Sequence, residues 1–274
     1  MTALGMSGAI SDLLRYRGLL HSLTLRDLRV RYKQSWLGVG WAVVLPLSMM
    51  LVFSFVFTRA IDASSVLGLD IPYALYAYMG LVPWTFFAVS LSGSVNAMVA
   101  HRNLVTKVYF PREVLPLSCM MSAFVDFCIA GLVFIGLAAY FHFAGVYRFT
   151  LGTSMLFLPV VVAVQMMLTA GLGMILAMGN LFYRDVRQLF SAVIQLWMFV
   201  SCVVVPIPRD GSTLATILSL NPMVAIIGAY RDCAIYGRLP DGGAFTYSAV
   251  VAVVVLIGGW IIFRRSSHRF AECI

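Results

Sequence analysis

Lysine occurs only at Lys33 and Lys107 in the 274 residues, and both positions bear on nucleotide chemistry. A phosphate-cradling loop places its Lys directly after a Gly, so that backbone N–H groups and the ammonium meet the same phosphates. Lys33 follows Tyr32 and Lys107 follows Thr106, so the sequence contains no such loop and no acidic stretch suited to magnesium. No Ser/His/Asp arrangement for nucleophilic catalysis is recognisable. The cysteines Cys119, Cys128, Cys202, Cys233 and Cys273 are scattered without paired ligand spacing, and no His stands beside one in a metal pattern. They read as small apolar fillers. The sequence therefore predicts no catalytic residue, no metal site and no cofactor in this chain; a nucleotide that drives it would bind another polypeptide.

The next chemistry to consider is ion coupling. Carriers driven by protons or sodium usually place several carboxylates near mid-membrane. The apolar stretches here contain one clear ionisable residue, Asp126, with Arg59 at the end of another stretch. Asp126 reads as a hydrogen-bonded residue facing a neighbouring helix, or as a gating or substrate contact. Aromatic residues are the remaining candidates. Tyr73, Tyr76, Trp84 and Phe87 share one helical stripe if Pro83 only kinks the helix, and Phe53 and Phe57 repeat at i, i+4. Such rings offer polarisable surface along which the C–H faces of sugars slide without directional hydrogen bonds that would trap them. An interfacial belt or ordinary packing is the plainer reading.

These residues sit in elements dictated by composition. Hydrophobic residues make up 61% of the chain and charged ones 11%, against about 25% charged in soluble domains. This excludes an ordinary water-soluble enzyme and predicts an all-α integral membrane protein. Six stretches reach the roughly 20 residues a helix needs to span a bilayer: 37–61, 72–100, 114–141, 151–179, 189–207 and 244–263. Residues 1–36 form a cytoplasmic segment with no secretory signal, and 264–274 a basic tail. Fourteen of the 19 Lys and Arg residues fall on the side holding both termini, which makes that side cytoplasmic. The segment 212–230 is uncharged, but Asn221-Pro222 breaks it, so 208–243 reads as an outer region of short re-entrant or interfacial helices.

Two cytoplasmic segments are organised. Leu13, Tyr16, Leu19, Leu20 and Leu23 share a face, and Thr24-x-x-Asp27 reads as a capping box that restarts a helix. Beyond it Leu25, Leu28 and Tyr32 face one way and Arg26, Arg29 and Lys33 the other, the pattern of an interface helix. It reads either as an anchor or as a lever passing a push into the first span. In the loop 101–113, Leu104, Val105, Val108, Tyr109 and Phe110 form an apolar cluster that either invites a partner protein or packs on the chain itself.

Several strings carry a family resemblance. R-D-L-R-V-R-Y-K-Q-S-W-L-G-V-G-W (26–41), L-V-P-W-T-F-F (81–87), N-L-V-T-K-V-Y-F-P-R-E-V-L-P (103–116), Y-R-D-V-R (183–187) and L-N-P-M (220–223) resemble, in order, permeases of polysaccharide ABC exporters of the type-two superfamily. The family exports O-antigen, teichoic acid or capsular polysaccharide. The resemblance implies a homodimeric permease in the bacterial inner membrane, paired with two separate subunits that bind ATP and magnesium. Its cargo would be polysaccharide or polyprenyl-linked glycan, and nucleic acid would not be a partner.

By residue, the resemblance assigns Asn103, Leu104, Val105, Lys107, Val108, Tyr109, Phe110, Arg112 and Glu113 to ATPase coupling. It assigns Arg26, Asp27, Arg29, Arg31, Tyr32 and Lys33 to a cytoplasmic gate helix, and Asn221, Pro222, Tyr230 and Arg231 to an outer gate. The stretch 208–217 matches none of its strings. The competing classes are a self-contained secondary carrier or lipid flippase, which needs several intramembrane acids, and a membrane glycosyltransferase, which needs clustered acids and His.

Overall fold

The computed structural model describes residues 15–33, 35–60, 71–107, 110–147, 152–206 and 213–267. The described residues contain helices and turns and no strand. Helix α1 spans Arg17–Tyr32, and a 3₁₀ turn at Gly38–Gly40 leads into α2, Trp41–Ala60. Next come α3 (Tyr73–Ala100), α4 (Arg102–Lys107), α5 (Val114–Phe143), a 3₁₀ turn at Thr153–Phe157, and α6 (Leu158–Phe182). The remainder is α7 (Asp185–Val200), α8 (Thr213–Ser219), α9 (Pro222–Ala234) and α10 (Gly242–Ser266).

Five helical segments are long and apolar enough to cross a bilayer: Gly38–Thr58, Tyr73–Ala100, Val114–Phe143, Thr153–Phe182 and Gly242–Ser266. They overlap the stretches expected at 37–61, 72–100, 114–141, 151–179 and 244–263. The stretch expected at 189–207 differs. Its helix is α7, which starts earlier and has 16 residues, about 24 Å at 1.5 Å per residue. Residues 201–205 then leave the helix, with Cys202 in the left-handed region at φ 51°.

The bundle has two ends that the packing identifies. At one, Met98 of α3, Val114 and Leu115 of α5, Leu181 of α6, Phe263 of α10 and Leu23 of α1 share one apolar cluster. At the other, the Tyr73 hydroxyl at the start of α3 donates to the carbonyl of Val204, 2.9 Å away. Helix α7 therefore begins beside the first end and finishes at the second. Most of α3 is buried at the centre, whereas α2, α5 and α10 turn broad apolar faces outward, as helices bathed in lipid do.

Helices α6 and α10 cross almost backbone to backbone. A Cβ on Gly171 would stand 2.5 Å from the Val255 carbonyl oxygen, and one on Gly259 2.5 Å from that of Gly171. Small residues permit such approaches between membrane helices, where packing rather than hydrophobic exclusion drives association.

The expected restart at Thr24 does not occur. Helix α1 runs unbroken from Arg17 to Tyr32, and the Thr24 hydroxyl donates to the Leu20 carbonyl one turn back, at 2.8 Å. A Thr that bonds its i−4 carbonyl sits inside a helix rather than capping one.

Candidate functional site

The first functional region is the end where α1, α4 and the tail of α10 meet. Val105 and Phe110 are buried, 4% and 5% exposed, in the cluster that holds Leu23; Leu104, Tyr16, Leu19 and Leu20 pack on its edge. The apolar residues of the 101–113 loop among the described residues thus face their own chain, and so does the apolar face of α1. Glu113 is also buried: its Oε1 receives the Trp260 indole N–H at 3.4 Å and lies 3.3 Å from Nε of Arg264. Arg112 donates to the carbonyl of Ser267. Arg102 and Asn103 point outward. Val108, Tyr109 and the side chain of Lys107 lie outside the described residues.

From this cluster α1 runs beside α5 in the same direction. The Ser118 hydroxyl donates to Asp27 at 3.3 Å, and one turn later Arg31 donates to both Asp126 and Ser122. The Tyr32 hydroxyl donates to the other Asp126 oxygen at 2.6 Å. Burial and that carboxylate push the Tyr32 pKa up to about 12, so the phenol remains a neutral donor at physiological pH. Asp126, singled out from the sequence as the ionisable residue of its span, is therefore held by two residues of α1. It shares a cleft with Trp41, the first residue of α2. Arg26 pairs with Asp27 at 3.1 Å, and Arg29 and Lys33 are exposed on the far side of α1.

The opposite end is built around Arg231. It is 6% exposed, and among the described residues none of its partners is a carboxylate. Nη1 donates to the Tyr76 hydroxyl at 2.9 Å and the Cys202 carbonyl at 3.1 Å, Nη2 to the Val203 carbonyl, and Nε to the Tyr76 carbonyl at 3.4 Å. The guanidinium thus satisfies the carbonyls freed where α7 ends, and a cation is favoured at a helix C-terminus. Irregular backbone at this depth requires such partners. Asn221 caps α9, accepting from Met223 N–H at 3.1 Å ahead of Pro222, while its amide donates to Ser201 at 2.9 Å. The predicted break at Asn221-Pro222 separates α8 from α9.

The aromatic residues form two groups. Phe53, Phe57, Tyr73 and Tyr76 make a continuous row, with successive ring centroids 6.3, 5.5 and 6.4 Å apart. Trp84 packs on Phe87, which meets Trp197 of α7 edge-on at 5.3 Å. Trp84 and Phe87 are 4% and 0% exposed, so both are core residues of this subunit and present no open face. Phe53 and Phe57 are half-buried.

Sequence reasoning missed Gln165. Fully buried on α6, it donates to the Pro83 carbonyl at 2.7 Å and accepts from the Tyr230 hydroxyl at 2.8 Å, joining three helices. Its signal was a single amide within the apolar run V-V-A-V-Q-M-M-L. Among the described residues, no three His, Cys, Asp or Glu side chains stand close enough to hold a metal.

This arrangement is a helical bundle with five helices able to span a membrane, a basic end and a polar clamp at the other, and comparison with known proteins gives it a family. Residues 18–234 match the ABC-2 type transporter family, and the chain belongs to it. It is 34% identical over 268 residues to the O-antigen export system permease protein RfbA of Myxococcus xanthus, covering 97% of this chain and 98% of that protein. The protein of the same name from Klebsiella pneumoniae is 30% identical, with 93% and 95% covered. The polysialic acid transport protein KpsM of Escherichia coli is 24% identical, with 89% and 92% covered.

Proposed function

We propose that this chain is the membrane-spanning half of an exporter that moves polysaccharide of the O-antigen kind, lipid-linked or free, out across the bacterial inner membrane. The observation that carries the reading is end-to-end similarity to permeases named for O-antigen export. ATP and magnesium belong to a separate ATP-binding subunit, since neither lysine follows a glycine. The assembly contains two copies of each chain.

Topology in this reading has six crossings. Support comes from α7, which starts beside the end of α6 and finishes at the Tyr73 end, and from α10, which returns to the first end. In this topology Arg264 and Arg265 at the end of α10 lie on the side of Val105 and Phe110, which this reading takes as cytoplasmic in keeping with the charge bias. Helices α8 and α9 then form the outer re-entrant gate, with Arg231 as its fixed point.

Coupling starts at α4, where exposed Arg102 and Asn103 meet the ATPase. Val105 and Phe110 transmit its movement inward through the cluster they share with Leu23. Helix α1 carries that movement to Asp126 through Arg31 and Tyr32, and so to the start of α2. The α7 face that carries Gln188, Ser191 and Gln195 is exposed. Amides and hydroxyls on an outward stripe suit a hydrated sugar chain between two copies better than they suit lipid. Surface-glycan profiling after deletion of the gene tests the substrate: loss of one long-chain glycan supports the reading, and an unchanged profile contradicts it.

A further inference from the structure

A cavity of about 580 Å³ lies between α1, α2, α3 and α5, within the range of sites that hold small ligands. Its walls are apolar, formed by Leu45 and Pro46 of α2, Phe86 and Val89 of α3, and Phe127 and Ala130 of α5. Its polar end holds Arg31, Tyr32 and Asp126. Trp36 is 98% exposed and Trp41 41% exposed at the α1–α2 hinge. Indole rings favour the headgroup level, so the polar end stands there and the apolar part reaches toward the bilayer core. An apolar chamber in contact with lipid, with charges at headgroup depth, has the shape of an amphiphile.

The polar end also selects the headgroup. Its cation and its carboxylate are both part-exposed, at 34% and 19% of the side chain. Among the described residues, Arg31 directs Nη1 to Asp126 and Nη2 to Ser122, two of its five N–H donors. Among the described residues, Asp126 receives one bond on each oxygen, and a carboxylate oxygen can accept a second. Arg29 and Lys33 stand on the opposite face of α1, so among the described residues the charges at the mouth are Arg31 and Asp126, which balance. We infer that this cavity binds one membrane glycerophospholipid with a zwitterionic phosphoethanolamine headgroup, its phosphate on Arg31, its ammonium on Asp126 and an acyl chain in the chamber. The lipid would fill the wedge beneath α1, so moving α1 toward or away from α5 would require its chain to shift.

The test is native mass spectrometry of the full chain with its ATP-binding partner, delipidated and then exposed to vesicles of phosphatidylethanolamine or of phosphatidylglycerol. Wild type should retain one phosphatidylethanolamine per chain in preference to phosphatidylglycerol. Asp126→Asn should lower that preference by about fivefold, the size of one part-exposed ion pair. Ala42→Phe, which fills the chamber, should abolish retention. The double exchange Arg31→Asp with Asp126→Arg keeps both charges and should keep the preference, which separates headgroup recognition from misfolding. Equal retention of both lipids by wild type, retention by Ala42→Phe, or recovery of a polyprenyl-linked glycan from the cavity would each overturn the inference. The lipid-preference results leave open whether the complex exports polysaccharide, whereas a recovered polyprenyl-linked glycan would overturn this inference while supporting that function.

Discussion

The guanidinium carbon of Arg231 stands 3.7 Å from the centroid of the Tyr76 ring, and its Nη1 donates to the hydroxyl of the same residue. Helix α9 is thereby fastened to α3 and to the last carbonyls of α7. Among the described residues the charge is buried without a counter-ion, which is tolerable because four oxygens and a ring face replace its water.

Replacing Arg231 by Met should therefore remove far more than one hydrogen bond. The Cys202 and Val203 carbonyls would lose donors inside protein, at about 1–3 kcal/mol for each orphaned group. Tyr76→Phe, which keeps the ring, should cost only about 1 kcal/mol. Thermal unfolding of the purified protein in detergent checks the order; equal losses from the two changes would mean that the carbonyls find other partners.

Gly80 makes this clamp possible, because a Cβ there would lie 2.2 Å from the Val203 carbonyl oxygen and 2.3 Å from Nη2 of Arg231. Gly80→Ala should lower the melting temperature sharply, by several degrees. Gly131→Ala, on α5 where an added methyl would meet nothing within 4 Å, should leave it unchanged or slightly raised through better helix propensity.

At the α1 end, Tyr32 has a measurable pH signature. Its pKa rises from an ordinary 10 to about 12 because burial and Asp126 disfavour the phenolate. The stabilisation from the neutral form is complete below pH 10 and is lost as pH rises toward 12. Subtracting the alkaline unfolding curve of Tyr32→Phe from that of wild type should reveal this loss between those two values. A difference that does not vary with pH would show that the hydroxyl does not hold Asp126.

The 101–113 loop separates packing from docking. Phe110→Asp should destabilise the chain by about 3 kcal/mol or more, since it places a carboxylate in the cluster that holds Leu23 and Phe263. Arg102→Glu, on the exposed side of α4, should disturb unfolding far less than Phe110→Asp but weaken binding of the ATP-binding subunit in pull-down measurements. If both variants only lower stability, α4 is structural and the partner docks elsewhere.

The apolar runs made the five long helices legible because length and hydropathy alone decide whether a helix can span a bilayer. The break at Asn221-Pro222 was equally legible, since a capping Asn before Pro has a local mechanism. Thr24 misled because a hydroxyl can cap a new helix or bond back within an old one, and the choice depends on tertiary packing. The end of α7 was placed too late because apolar Cys202 to Val205 continue the hydropathy while the Cys202 and Val203 carbonyls turn to Arg231. The ties that organise the site, Arg31 to Asp126 and Arg231 to Tyr76, span 95 and 155 residues. Composition and spacing cannot register contacts at such separations.

In the proposed function this chain provides the path and a partner provides the power. The most direct measurement is ATP hydrolysis and glycan movement in proteoliposomes containing the chain with and without its ATP-binding subunit. We expect neither activity from the chain alone, and both when the partner is present with its phosphate-binding Lys intact. Hydrolysis by the chain alone, or glycan movement driven by an ion gradient without the partner, would contradict the account.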